Sequence, residues 1–234
     1  MGEHTVTSFD EDLEQIDRLL RDMGDLSGSM LSTATRALLA SDSALAQRVV
    51  SDDTVMDAKQ RELDERAITL IAKRQPMAQD LRSVVGAIRM AADLERVGDL
   101  AKNIGKRVGA VSSGPASPAL SHSIQTMADM VLAQVRGVVD QYVRRDAAAL
   151  QKIRADDEKI DVQYTAVFRE LLTYMMEDPR NITACTHLLF CAKNLERIGD
   201  HVTNVAENAY YVLTGTQLPP HRPKIDETSM VLAE

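Results

Sequence analysis

Apolar residues recur along this chain at steps of three and four, the period of an α-helix with one buried face. Met90, Leu94, Val97, Ala101, Ile104 and Val108 form one such stripe; Cys191, Leu195, Ile198, Val202, Val205 and Ala209 form another. A third stripe, Val49, Met56, Leu63, Ala67 and Leu70, is interrupted by Asp53 where the period calls for an apolar residue. Asp157 interrupts Ile153, Ile160, Val167 and Leu171 in the same way. The pattern predicts helices over 9–41, 43–73 and 78–109, then over 120–144, 147–176 and 180–213. Asp42 and Asp146 are placed to cap the middle helix of each set, and Asp178-Pro179 reads as a cap followed by proline at the first helical position. Helices of about 30 residues are about 45 Å long, a length natural to elongated bundles.

The two sets of helices are copies of one another. Asp93-Leu94-Glu95-Arg96-Val97-Gly98-Asp99 returns as Asn194-Leu195-Glu196-Arg197-Ile198-Gly199-Asp200, 101 residues later, and Asp42 to Asp57 matches Asp146 to Asp161 at an offset of 104. Between the copies, Ser112-Ser113-Gly114-Pro115-Ala116-Ser117-Pro118 has the composition of a helix-breaking linker. The reading is therefore an all-α chain of two three-helix bundles: residues 1–111, a linker at 112–119, residues 120–213, and an irregular tail at 214–234.

Composition narrows the function classes. Hydrophobic residues make up 44% of the chain but aromatic ones only 3%, a palette suited to helix bundles. The net charge of −8, with no Lys/Arg block, argues against direct nucleic-acid binding. No apolar run approaches the ~18 residues of a membrane span and the amino terminus is polar, so a cytoplasmic protein is expected. Cys185 and Cys191, six apart on one predicted helix, read as core residues rather than a disulfide.

The chemistry-bearing feature is acidic. Glu95 and Asp99, and likewise Glu196 and Asp200, are four residues apart and one helical turn from each other; Asp53 with Asp57 and Asp157 with Asp161 repeat the spacing on the middle helices. Like charges so placed cost a helix roughly 0.2–0.5 kcal/mol per pair, and a carboxylate inside an apolar stripe needs a partner. An oxygen-seeking divalent or trivalent cation such as Mg, Mn or Fe suits these clusters, Zn less specifically, and Asn103 and Asn204 could add amide oxygens. The plainer alternative is surface pairing, with Arg96 and Arg197 beside Asp99 and Asp200. Gly98 and Gly199 each cost their helix about 1 kcal/mol relative to Ala, which close approach of a neighbouring helix or an ion would justify. The Glu-x-x-His pair of helical di-iron proteins, a phosphate-cradling Gly-Lys-Ser/Thr loop and HExxH are all absent, so catalysis has no positive support and His187 and His201 carry no role. The stretch from Lys73-Arg74-Gln75-Pro76 to Arg82 is basic on an acidic chain; it is either a helix-joining turn or a contact for an acidic partner.

Ile71-Ala72-Lys73-Arg74-Gln75-Pro76, Asp80-Leu81-Arg82, Leu94 to Asp99, Leu172-Thr173-Tyr174-Met175-Met176-Glu177-Asp178 and Leu195 to Asp200 occur in an order that resembles the PhoU family over about residues 10–213. The resemblance implies two three-helix bundles related by a pseudo-twofold axis, often dimeric. It also implies metal held through Glu/Asp-x-x-x-Asp motifs, here Asp53/Asp57, Glu95/Asp99, Asp157/Asp161 and Glu196/Asp200. By the same resemblance the chain is a non-catalytic negative regulator of phosphate uptake and phosphate-starvation genes. Its partners would be the ATPase subunit of the phosphate ABC transporter and a sensor histidine kinase. The main alternative is a metal-dependent phosphohydrolase or metal-handling protein, since carboxylate-bound metals can activate water.

Overall fold

Two aspartates set the beginnings of the two middle helices, and the chain around them repeats even in its strained turns. Asp42 accepts hydrogen bonds from the amides of Ala44 and Leu45, and Asp146 accepts one from Ala149. The residues just before them, Ser41 and Arg145, both take left-handed backbone, at φ 53° and 57°. In the computed structural model, which describes residues 2–111 and 118–219 with side chains from Phe9 onward, six helices follow in order. They are α1 (Gly2–Ala40), α2 (Ser43–Arg74), α3 (Gln79–Arg107), α4 (Pro118–Val143), α5 (Ala147–Glu177) and α6 (Ile182–Thr214).

α1 opens at Gly2, seven residues before the start read at 9; the other helix boundaries lie within a few residues of the sequence reading, with three informative departures. The third helix becomes a 3-10 turn at Val108–Val111 instead of running on to 109. Asp178 caps a separate 3-10 turn, Pro179–Asn181, accepting from the Arg180 amide, so that α6 opens at Ile182 rather than 180. Pro118, read as linker, begins α4; the rest of the linker through residue 117 and the tail from 220 lie outside the described residues.

Helices α1, α2 and α3 pack on one another, as do α4, α5 and α6, and the copies join through α1 against α4 and α3 against α6. The apolar stripes meet as expected: all six residues of each third-helix stripe are buried, and the buried residues form one continuous core across both copies. Helices α2 and α5 are left outermost, each packed only on its own copy. Both joining pairs are antiparallel. Tyr142 of α4 donates to Asp17 of α1, and a Cβ on Gly24 would stand 2.8 Å from Cγ2 of Val139, so the absent side chain lets α1 and α4 approach. Along α3 and α6, Arg82 lies over the Tyr211 ring, Asp93 meets His201 and Asn204, and Arg107 lies over the Phe190 ring, 4.3 Å from its centroid. An arginine on an aromatic face thus closes each end of this seam. Among the described residues no helix is long and apolar enough to cross a membrane.

Candidate functional site

The acids flagged by their spacing fall on the seams between the outermost helix and the third helix of each copy. Asp53 occupies the core-facing stripe of α2, 8% exposed, and its Oδ2 accepts from Nζ of Lys102 on α3 at 2.6 Å. The same ammonium donates to Asp99 Oδ1 at 2.5 Å, so Lys102 joins the two helices through two carboxylates. Burial works to lower the Lys102 pKa, but the hydrogen bonds to Asp53 and Asp99 outweigh it and hold the pKa above its ordinary value. Arg96 adds an exposed pairing to Asp99 at 3.2 Å and to Glu95 at 3.6 Å, as the surface-pairing alternative anticipated. Burial, then the charge of Asp99, raise the Glu95 carboxyl against the pull of Arg96, with smaller pushes from Asp57 and Asp53. All four acids of the first copy therefore share one electrostatic environment. One oxygen of this group, Asp53 Oδ1, is buried with no hydrogen-bond partner among the described residues.

The second copy holds the equivalent acids more deeply. Asp157, Asp161 and Glu196 are 1%, 3% and 4% exposed, and Asp200 is half-buried. The residue in register with Lys102 is Thr203, fully buried, with its hydroxyl unpaired among the described residues. Positive charge enters ten residues earlier instead, one turn before Glu196: Lys193 Nζ donates to Glu196 Oε1 at 2.9 Å and lies 4.9 Å from the centroid of the Tyr164 ring. The two glycines also differ in what they face. A Cβ on Gly98 would meet Met56 Cγ at 3.2 Å, whereas one on Gly199 would stand 2.6 Å from Asp157 Oδ1. Both permit the close helix approach expected of them, and Gly199 does so over a buried carboxylate.

Asn103 is exposed at the edge of the first cluster. Asn204 donates to Asp93 at 3.2 Å, beside a 2.9 Å contact between Asp93 and His201 Nδ1, and so faces the α3–α6 seam. Among the described residues no three Asp, Glu, His or Cys side chains are drawn together as a ready-made ion site. Sequence reasoning missed Lys102, whose signal was available: it lies three residues past Asp99, on the same helical face. It also gave no role to His201, whose partner is 108 residues away and invisible to local spacing.

Between α3 and α6 runs a polar groove of about 820 Å³, lined among others by Arg89, Asp93, Arg96, His201, Asn204 and Glu207. Arg96 connects it to the first acidic cluster. The basic turn is committed internally: Arg74 lies 3.7 Å from Asp12, and Arg82 covers Tyr211 and packs against Gly215. Both cysteines are buried free thiols; burial raises Cys185 and pushes Cys191 up to about 12 against a smaller opposing effect of Arg107.

A duplicated three-helix chain with an acidic seam in each copy is the class that these features define. The PhoU domain model matches residues 20–108 and 124–209, and the chain belongs to the PhoU family. It is 54% identical over 226 residues to a phosphate-specific transport system accessory protein PhoU homolog of Rhizobium meliloti (strain 1021), covering 97% of this chain and 95% of that one. A similarly named homolog of Caulobacter vibrioides (strain NA1000 / CB15N) is 46% identical over 229 residues, covering 98% and 100%. Among solved structures, PhoU from Pseudomonas aeruginosa superposes with a TM-score of 0.85 at 35% identity, covering 89% of this chain and all of that one. The phosphate transport system regulatory protein PhoU from Streptococcus pneumoniae superposes with a TM-score of 0.83 at 26% identity, covering 90% and 99%.

Proposed function

We propose that this chain is a negative regulator of phosphate uptake and phosphate-starvation gene expression, acting on the cytoplasmic side as an adaptor between a phosphate ABC transporter ATPase and a sensor histidine kinase. The observation that carries this reading is the near full-length similarity, 54% over 226 residues, to a protein named as an accessory of phosphate-specific transport. The architecture supports it: two copies of one bundle offer two related outer faces, one for each partner. Immobilised chain should retain the ATPase and the kinase from lysate of phosphate-replete cells. Retention of neither would count against the adaptor role. A homodimer belongs to the same proposal and is read by sedimentation.

Metal binding is the second part of the proposal, and the donors fit it unequally. Carboxylate oxygens suit Mg, Mn or Fe, but in the first copy an ammonium already lies between Asp53 and Asp99. In the second, Thr203 replaces that lysine and the Lys193 ammonium pairs with Glu196. Asp157, Asp161, Glu196 and Asp200 are the residues that would hold the ion, with Lys193 displaced from Glu196. A bound ion would supply positive charge to a deep acidic seam and tie α5 to α6. Elemental analysis of protein purified without chelators should find metal, and Glu196→Gln with Asp200→Asn should remove it. Metal-free wild-type protein that stays metal-free on incubation with Mn or Fe would refute this part. The phosphohydrolase alternative has no observation in its favour.

A further inference from the structure

The α1–α4 seam carries a polar hollow of its own, on helices that the acidic clusters do not use. Its volume is about 490 Å³, and it is lined by Asp25, Ser29, Ser32, Thr33 and Arg36 of α1 and by Arg136 of α4. The α1 residues recur at helical steps, so one face of that helix sets three hydroxyls between a carboxylate and a guanidinium. Those hydroxyls are uncommitted. Ser27 and Thr35, buried on the core side, donate to the Gly24 and Leu31 carbonyls of their own helix, whereas Ser29, Ser32 and Thr33 make no hydrogen bond among the described residues. Arg36, Arg136 and Asp25 likewise make no ion pair among the described residues.

The packing aims the two arginines at one another. A Cβ on Gly28 would stand 3.5 Å from Cγ of Arg136, and Gly24 lies against Val139, so α4 descends as α1 rises. Side chains on a helix tilt toward its N-terminus. Arg36 therefore tilts back toward Ser32 and Ser29, and Arg136 tilts toward Leu132, which is the opposite sense along α1. From Gly28 to Arg36 is about 12 Å along the axis, and the two guanidiniums enter this span from its two ends. On a chain of net charge −8, two guanidiniums and three hydroxyls thus face one carboxylate.

We propose that this hollow binds inorganic phosphate, as the hydrogen phosphate dianion. A guanidinium pairs with phosphate oxygens through parallel N–H donors, and each hydroxyl supplies one donor more. The dianion offers its bare oxygens to these donors and keeps one P–OH. Asp25, at the α1 N-terminal end of the hollow, can only accept when ionised and takes that hydrogen. Sulfate, fully deprotonated at neutral pH, has no hydrogen to give and meets the carboxylate as a like charge; a phosphate monoester dianion lacks the hydrogen as well. Anion binding is independent of the adaptor role, since it is read on the purified chain whereas partner retention reads the other, and either can fail alone.

Isothermal titration calorimetry on the full chain, stripped of metal and titrated with sodium phosphate, sodium sulfate and glycerol phosphate, reads the site. The expected result is saturable binding of one phosphate per chain, with sulfate and glycerol phosphate weaker by about tenfold or more. Arg36→Gln and Arg136→Gln should each weaken phosphate by a similar factor. Asp25→Asn should narrow the gap between phosphate and sulfate, and Arg89→Gln in the α3–α6 groove should change nothing. Arg36, Arg136 and Asp25 are exposed, so these variants should keep the wild-type Tm. Absence of saturable phosphate binding would overturn the site. Sulfate or glycerol phosphate bound as tightly as phosphate would mark an adventitious anion only and overturn it too, as would phosphate binding that survives both α1–α4 arginine substitutions or is lost in Arg89→Gln.

Discussion

The α-carbon of Gly199 lies so close to the buried carboxylate of Asp157 that a methyl group on it would stand 2.6 Å from Oδ1 and 3.2 Å from Ile160 Cδ1. Asp157 is 1% exposed and has little room to withdraw. Gly199→Ala should therefore destabilise the protein by about 2 kcal/mol despite the better helix propensity of alanine. Gly98→Ala meets a flexible methionine and should change stability by less than about 1 kcal/mol. Urea unfolding of the two variants checks the contrast.

Lys102 tests the first acidic seam. Lys102→Met leaves Asp53 and Asp99 without their shared ammonium, and a loss of about 2 kcal/mol is expected, below the full cost of a buried broken pair because the site is partly exposed. Adding Asp53→Leu should recover most of it, since that removes the buried acid as well. The raised lysine pKa means that its contribution is fully present below the ordinary lysine value and fades as pH rises through the folded value. Neutral-pH denaturation of the single and double variants reads the effect.

Asp17 gives a pH dependence of opposite origin. Burial raises its carboxyl, against the Tyr142 hydrogen bond and the nearby Arg21 and Arg145. A raised acid favours its protonated form in the folded state, so its contribution is greatest below the unfolded pKa and is lost as pH rises through the folded one. Asp17→Asn keeps an acceptor for Tyr142 and removes the buried charge. The variant should be more stable than wild type at neutral pH, with the gain vanishing below the carboxylate range, as followed by Tm across pH.

The thiols should be silent in the native protein. Cys185 and Cys191 are both fully buried, with Cys191 pushed up to about 12. A disulfide-exchange reagent at pH 8 should therefore titrate neither until denaturant is added, and then both.

Much of this architecture was legible because it is local and duplicated. The stripe through Met90 and Val108, the caps at Asp42 and Asp146, and the placement of Asp53 and Asp157 inside apolar stripes all follow from helical period. What the sequence hid depends on which helices meet. The neutralisation of Asp53 by Lys102 crosses from α2 to α3, and the Asp93–His201–Asn204 contact crosses between copies. Comparing the copies position by position exposes the difference between Lys102 and Thr203; it takes the packed helices to show that a lysine there occupies an acidic seam.

The regulatory claim is tested most directly by a phosphate-starvation reporter in a strain lacking this gene, grown in phosphate-rich medium and complemented with the wild-type chain. The reporter should be derepressed in the deletion strain and silenced again by the wild-type chain. Full repression in the deletion strain would contradict the account.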